Sequence, residues 1–170
     1  MLIRLRLATF SVAAPLLFTT VLSAEPLPAR LQGTWRITRV LPTTNTACWD
    51  HTQAQPLVGS LLTYRADTLR WRGGAVPLDD ITTRTVTDEQ FRKENSGADA
   101  PATFAQIGIR TRAVMEVDLQ HEDMDITGAS TEVPGDSVLL AGPNRIVVSA
   151  CGVYFEATRA AGITRASFRR

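Results

Sequence analysis

The densest run of titratable side chains is His121-Glu122-Asp123-Met124-Asp125. In an extended strand His121, Asp123 and Asp125 fall on one face, a nitrogen-and-oxygen set that can hold a divalent metal. If residues 120–123 are instead a hairpin tip, the same side chains splay into solvent. His121 with a carboxylate is also an acid–base pair, but that chemistry needs a cleft, and nothing else in the sequence converges on it. His51 follows Cys48-Trp49-Asp50 and pairs an imidazole with a thiol, the makings of a nucleophile. A disulfide at Cys48 would remove that thiol. No serine elbow, phosphate-binding glycine loop or haem-attachment motif occurs. The sequence therefore assigns no catalytic residue, no metal ligand and no cofactor.

The chemistry that is readable concerns location. Arg4 and Arg6 precede an apolar run over residues 7–22 with no charged side chain, and Ser23-Ala24 closes it ahead of Glu25-Pro26-Leu27-Pro28. That charge, apolar stretch and small-residue close make residues 1–24 a secretory signal peptide. The run is 16 residues long and contains Pro15, short for a spanning helix, which needs roughly 20. A retained anchor is the competing reading. Cleavage is expected after Ser23 or Ala24, and no cysteine follows to carry a lipid. The expected location is the periplasm or the exterior, with no stable membrane anchor.

Residues 25–170 are one domain, large enough to bury a real core. They hold 16 basic and 17 acidic residues. A near-neutral chain lacks the positive surface that nucleic-acid binding requires, so no nucleic-acid partner is expected. The two cysteines, Cys48 and Cys151, both lie in this part. In an oxidising compartment they are expected to pair, closing a loop that stabilises by about 4.7 kcal/mol in the chain-entropy picture. A zinc site and a reactive thiol are the alternatives, and zinc would find only His51 and His121 as further nitrogen ligands.

What must position these residues is a row of short strands. Residues 35–40 alternate cleanly, and residues 61–64 and 68–71 flank a hairpin at Arg65-Ala66-Asp67. Gly73-Gly74 turns the chain into a threonine-rich strand over 81–86. Residues 113–119 place Met115, Val117 and Leu119 on one face and Val114, Glu116 and Asp118 on the other. Residues 124–127 are expected to return against them. Pro134-Gly135-Asp136 and Gly142-Pro143-Asn144 are turn clusters on either side of residues 138–140, and residues 146–148 and 151–157 complete the series. About eight or nine closely spaced strands imply an antiparallel barrel or sandwich. Thr87-Asp88-Glu89-Gln90 opens like a capping box and starts one short helix around residues 88–95.

Gly33-Thr34-Trp35 on the first strand resembles the G-x-W motif of lipocalins and related calycin barrels, and Thr158-Arg159 stands where such families carry an arginine that stacks on the tryptophan. The chain also resembles exported bacterial proteins described as lipocalin-like, at residues 33–40, 48–49, 56–59, 134–136 and 151–157. The resemblance implies an all-β, antiparallel barrel of about eight strands closed by its first and last strands. Gly33, Trp35 and Arg159 would form that closure, with a cation–π contact of about 0.5–2 kcal/mol. A Cys48–Cys151 bond is similar to the lipocalin link between an early segment and the late barrel. Haem-binding calycin relatives use a late histidine, and none follows His121. The implied function is a binding protein that holds a small apolar ligand in the barrel, with Tyr64, Trp71, Met115, Val117 and Tyr154 as candidate lining. The alternative is a protein–protein interaction module, such as an inhibitor of an extracellular hydrolase, with residues 48–56 or 95–103 as contact loop. An open apolar pocket favours the first reading and a filled barrel disfavours it.

Overall fold

Alternating inward and outward side chains build nine strands in the computed structural model, which describes residues 25–42, 51–95, 102–121 and 134–160. They are β1 (Gly33–Val40), β2 (Leu61–Tyr64), β3 (Thr68–Trp71), β4 (Gly74–Pro77), β5 (Asp80–Thr87), β6 (Ala113–Gln120), β7 (Ser137–Gly142), β8 (Arg145–Ala150) and β9 (Val153–Arg159). Helix α1 (His51–Ala54) runs into a 3₁₀ turn at Gln55–Leu57, and α2 (Asp88–Glu94) follows β5. The strands form one sheet in the order β4-β3-β2-β1-β9-β8-β7-β6-β5. Every neighbouring pair is antiparallel and consecutive in the chain except β1 with β9. The sheet curls back on itself into a barrel-like form. Tyr64 on β2 donates its hydroxyl to the Gly135 carbonyl at 3.2 Å, although β7, which follows that turn, lies four strands away in the sheet.

Two features correct the sequence reading. About eight or nine strands were expected, about eight from the family resemblance, but none at β4, which arises because residues 74–87 split between two partners. Counting antiparallel pairs from β4 round to β5 makes those two strands run in the same sense. The stretch is thus one long strand bent at Leu78 and Asp79. The Leu78 amide donates to the Asp67 carbonyl on the β3 side at 2.9 Å, and the Asp79 amide donates to Gln120 on the β6 side at 2.8 Å. Pro77 has no amide hydrogen to offer the ladder, so the partner change falls where one donor is already missing. The second correction is α1, a helical turn in addition to the single helix expected. The helix that was expected is present as α2. Thr87 and Gln90 form its capping box, with the Thr87 hydroxyl accepting from the Gln90 amide and the Gln90 side chain accepting from the Thr87 amide.

The two faces of the sheet bury two separate cores. The inner one takes side chains from all nine strands, among them Trp35, Leu62, Leu69, Val76, Ile81, Val117, Val138, Ile146 and Phe155. Leu27 and Leu31 of the leading segment, and Ala54 and Leu57 of the α1 turn, join it. The outer core lies between β5–β9 and a cover made of α2 and residues 102–109. Phe91, Phe104, Ile107, Ile109, Leu139, Val147 and Tyr154 compose most of it. Phe91 packs on Phe104 and Tyr154 with ring centroids 5.4 and 5.6 Å away, and the Phe104 amide donates to Asp88 on α2 at 2.7 Å. The apolar runs Val138-Leu139-Leu140 and Ile146-Val147-Val148 follow from this, because β7 and β8 are covered on both sides.

Candidate functional site

Trp35 and Arg159 face each other directly across the β1–β9 pair. The Arg159 guanidinium lies 4.3 Å from the Trp35 ring centroid. Its two terminal nitrogens donate to the carbonyls of Gln32 at 2.8 Å and Arg30 at 2.7 Å. The Trp35 indole N–H donates to Leu31 at 2.7 Å. One tryptophan thus joins the leading segment to both terminal strands. Gly33, at φ +124°, makes room for this: a Cβ there would stand 2.7 Å from an Arg159 nitrogen.

The candidate cavity lining divides into three. Tyr64, Trp71 and Val117 belong to the inner core. Met115 points the same way but is 39% exposed, paired with the exposed Thr85 at the end of β6. Tyr154 sits in the outer core instead, because strand alternation sends Val153, Phe155 and Ala157 inward and Tyr154 and Glu156 outward. Among the described residues the interior is densely packed. Trp35, Ile37, Leu62, Leu69, Val76, Val117, Val138, Ile146 and Phe155 all have 0% of their surface accessible. Accessible surface includes the walls of internal voids, so no space of water size touches these side chains.

Cys48 and residues 122–125 and 124–127 lie outside the described residues, and so does the His51 side chain. His121 holds Asp136, its Nε2 lying 3.0 Å from Oδ1. Among the described residues no cluster of three metal-ligating side chains occurs, and no helix is long and apolar enough to cross a membrane. Cys151 adopts φ +48° in the β8–β9 turn, and no cysteine among the described residues is a free thiol.

Polar groups also gather in surface features, two of which bear on function. Beneath α2 a cavity of about 160 Å³ is lined by Asn95, Glu116, Ser137, Ser149 and Tyr154 with Phe91, Leu139, Val147 and Val148. Burial and the neighbouring Asp118 push the Glu116 carboxyl up, against the opposing pull of Arg84 and Ser137. Arg84 donates to Glu116 at 2.6 Å and grips Glu94 on α2 with two further bonds of 3.0 and 2.6 Å. Tyr154 donates to Asn95 at 2.5 Å, and burial, then the Glu116 charge, push its hydroxyl up. Ser137 donates to Glu116 Oε1 at 3.3 Å, while Arg84 holds Oε2. Through Arg84 and Glu94 this arrangement seats a helix on a sheet.

The second feature lies on the outer face of β1–β4. A shallow cleft of about 580 Å³ is lined by Thr34, Gly59, Ser60, Leu61, Thr63, Arg65, Arg70, Trp71, Arg72, Gly73 and Gly74. Register sets its floor: Thr34 faces Thr63, and Thr63 faces Arg70. Arg72 and Gly73, at φ +47° and +89°, form the two-residue turn between β3 and β4. Positive φ at both positions suits Asn-Gly best, and an arginine there costs about 1–2 kcal/mol. The Arg72 guanidinium lies 4.7 Å from the Trp71 ring centroid and donates to Pro56 at 3.3 Å. Among the described residues no carboxylate lines the cleft. The sequence reading passed over these arginines, although the alternation Thr68-Leu69-Arg70-Trp71 already sends Arg70 outward. Comparison with family models, with curated proteins and with solved structures gave no match.

Proposed function

We propose that the chain is an exported, lipocalin-like barrel that works as a binding module through its outer wall. In this reading residues 1–24 are removed on export, and Cys48 and Cys151 form a disulfide that ties the segment before α1 to the β8–β9 turn. Export rests on the signal-like layout of residues 1–24. The lipocalin likeness draws on the Trp35–Arg159 stack between first and last strands. The observation that carries the binding mode is the dense inner core, in which the described side chains from all nine strands are buried. A carrier of apolar ligands needs a cavity, commonly of about 300–1,000 Å³. Among the described residues, an open volume of comparable size lies outside, against β1–β4. A second reading, a small apolar ligand at the inner mouth, draws on the exposure of Met115.

Native mass spectrometry of the purified exported protein tests the binding mode. The bare chain is expected to fly without an apolar adduct. A stoichiometric apolar molecule, retained until the chain unfolds, would overturn the outer-wall reading in favour of an interior store.

A further inference from the structure

We propose that the arginine cleft on β1–β4 is a binding site for a tetrahedral oxyanion, a phosphate or sulfate group. This deepens the outer-wall reading and rests on it. Three arginines, Arg65, Arg70 and Arg72, line one cleft, with the Thr34 and Thr63 hydroxyls between them on the floor. Guanidinium groups are planar forks that bind phosphate oxygens two at a time, and hydroxyls supply neutral donors for the remaining oxygens. A group carrying nearly two negative charges matches three cations better than a single carboxylate does.

The charge pattern of the rest of the protein sharpens this. Arg39, Arg84, Arg92 and Arg145 each face a carboxylate within 4.0 Å. Among the described residues Arg65, Arg70 and Arg72 face none, and neither does Arg36 at the cleft's edge, which donates to Gly59 at 3.1 Å. Arg30, Arg110, Arg112 and Arg159 also lack a carboxylate partner among the described residues but do not line the cleft, so this wall is where three such cations come together with two hydroxyls. Arg72 also holds a left-handed backbone position that an asparagine would occupy more easily. Strained positions of this kind cluster at ligand clamps.

Amide chemical shifts of the ¹⁵N-labelled full domain, followed at constant ionic strength, test the site. Inorganic phosphate should move the resonances of Gly59, Thr63 and Gly73 to saturation, while chloride should not. Arg70→Gln and, separately, Arg65→Gln should each weaken binding about tenfold, the loss expected when a hydrogen bond to a charged group is removed. Arg112→Gln, away from the cleft, should leave it unchanged. Vesicles of phosphatidylglycerol, with phosphatidylcholine as control, form the second arm. Binding to these vesicles through the same arginines, without free phosphate binding, supports the site and makes a lipid headgroup the source. Free phosphate binding alone supports it with a soluble source. No shift in either arm, equal shifts with chloride, or shifts that survive both substitutions would overturn the proposal. The outer-wall reading would stand through such a failure as long as native mass spectrometry found no interior ligand.

Discussion

Removing Arg159 is the sharpest test of how the sheet is held at its seam. Arg159→Ala deletes a cation stacked 4.3 Å from the Trp35 ring, a contact that stabilises by about 0.5–2 kcal/mol. It also deletes two hydrogen bonds to Arg30 and Gln32, each contributing about 0.5–1.5 kcal/mol and less where water competes. A net loss of about 2 kcal/mol is expected, which with urea slopes of about 1–3 kcal/mol/M moves the unfolding midpoint by about 1 M. Trp35→Ala should cost more, about 3–5 kcal/mol, because a fully buried indole leaves a void. Its loss also orphans the Leu31 carbonyl. Urea unfolding of both single variants and the double variant reads the coupling between them. The contact requires a coupling of about 0.5–2 kcal/mol. Costs that add to within about 0.3 kcal/mol, as independent sites do, would refute the stack as a source of stability.

Other outcomes follow from single contacts. Gly135→Ala should destabilise by about 1–3 kcal/mol, because φ is +110° and the new methyl would collide with the Tyr64 hydroxyl; adding Tyr64→Phe should recover part of the loss, and no recovery in thermal unfolding would contradict that contact. Thr87→Ala should cost about 1 kcal/mol and lower hydrogen-exchange protection in α2, since it removes the hydroxyl that accepts from the Gln90 amide. Burial raises the Glu156 carboxyl, but Arg39 and Arg145 outweigh it and hold the group below its ordinary 4.5. Its stabilising contribution is therefore present above pH 4.5 and lost as pH falls through the folded value, so Glu156→Gln should flatten the acid side of the urea-midpoint profile. Glu116 has the opposite sign: burial raises it, so its contribution is greatest below pH 4.5 and fades as pH rises, and Glu116→Gln should gain on the parent towards neutrality. Alkylation of the unfolded, unreduced exported chain should label no thiol; two labelled cysteines would end the Cys48–Cys151 proposal.

Where a local pattern dictates a local structure, the sequence was enough. The alternation in residues 35–40, the hairpin around Arg65-Ala66-Asp67 and the capping box at Thr87 all stand in the structure at those places. The split of residues 74–87 was not legible, because only Val76 of β4 is buried and four residues carry too little periodicity to mark a strand. The second core escaped for a different reason. Phe104, Ile107 and Ile109 are spaced like neither a helix nor a strand, so their burial is decided by the sheet they cover. That cover also explains Tyr154, an aromatic whose side of the strand could be told only by knowing that both sides are buried. The arginine cleft was hidden by distance along the chain: Arg36 and Arg72 share a wall only because β1, β2 and β3 pair in this register.

The order of strands in the curled sheet has a kinetic consequence. Seven of its eight neighbouring pairs join strands consecutive in the chain, while β1 and β9 bring together residues 124 positions apart. Two meanders, β1–β4 and β5–β9, can each zip up from local contacts at low entropic cost. The β1–β9 seam must wait until both exist, and closing so long a loop is the step that slows β-rich topologies. Trp35 and Arg159 sit at that late seam, so substitutions there should accelerate unfolding far more than they slow folding. Persistence against proteases that cut opened molecules faster than they reclose would then depend on how slowly that seam opens.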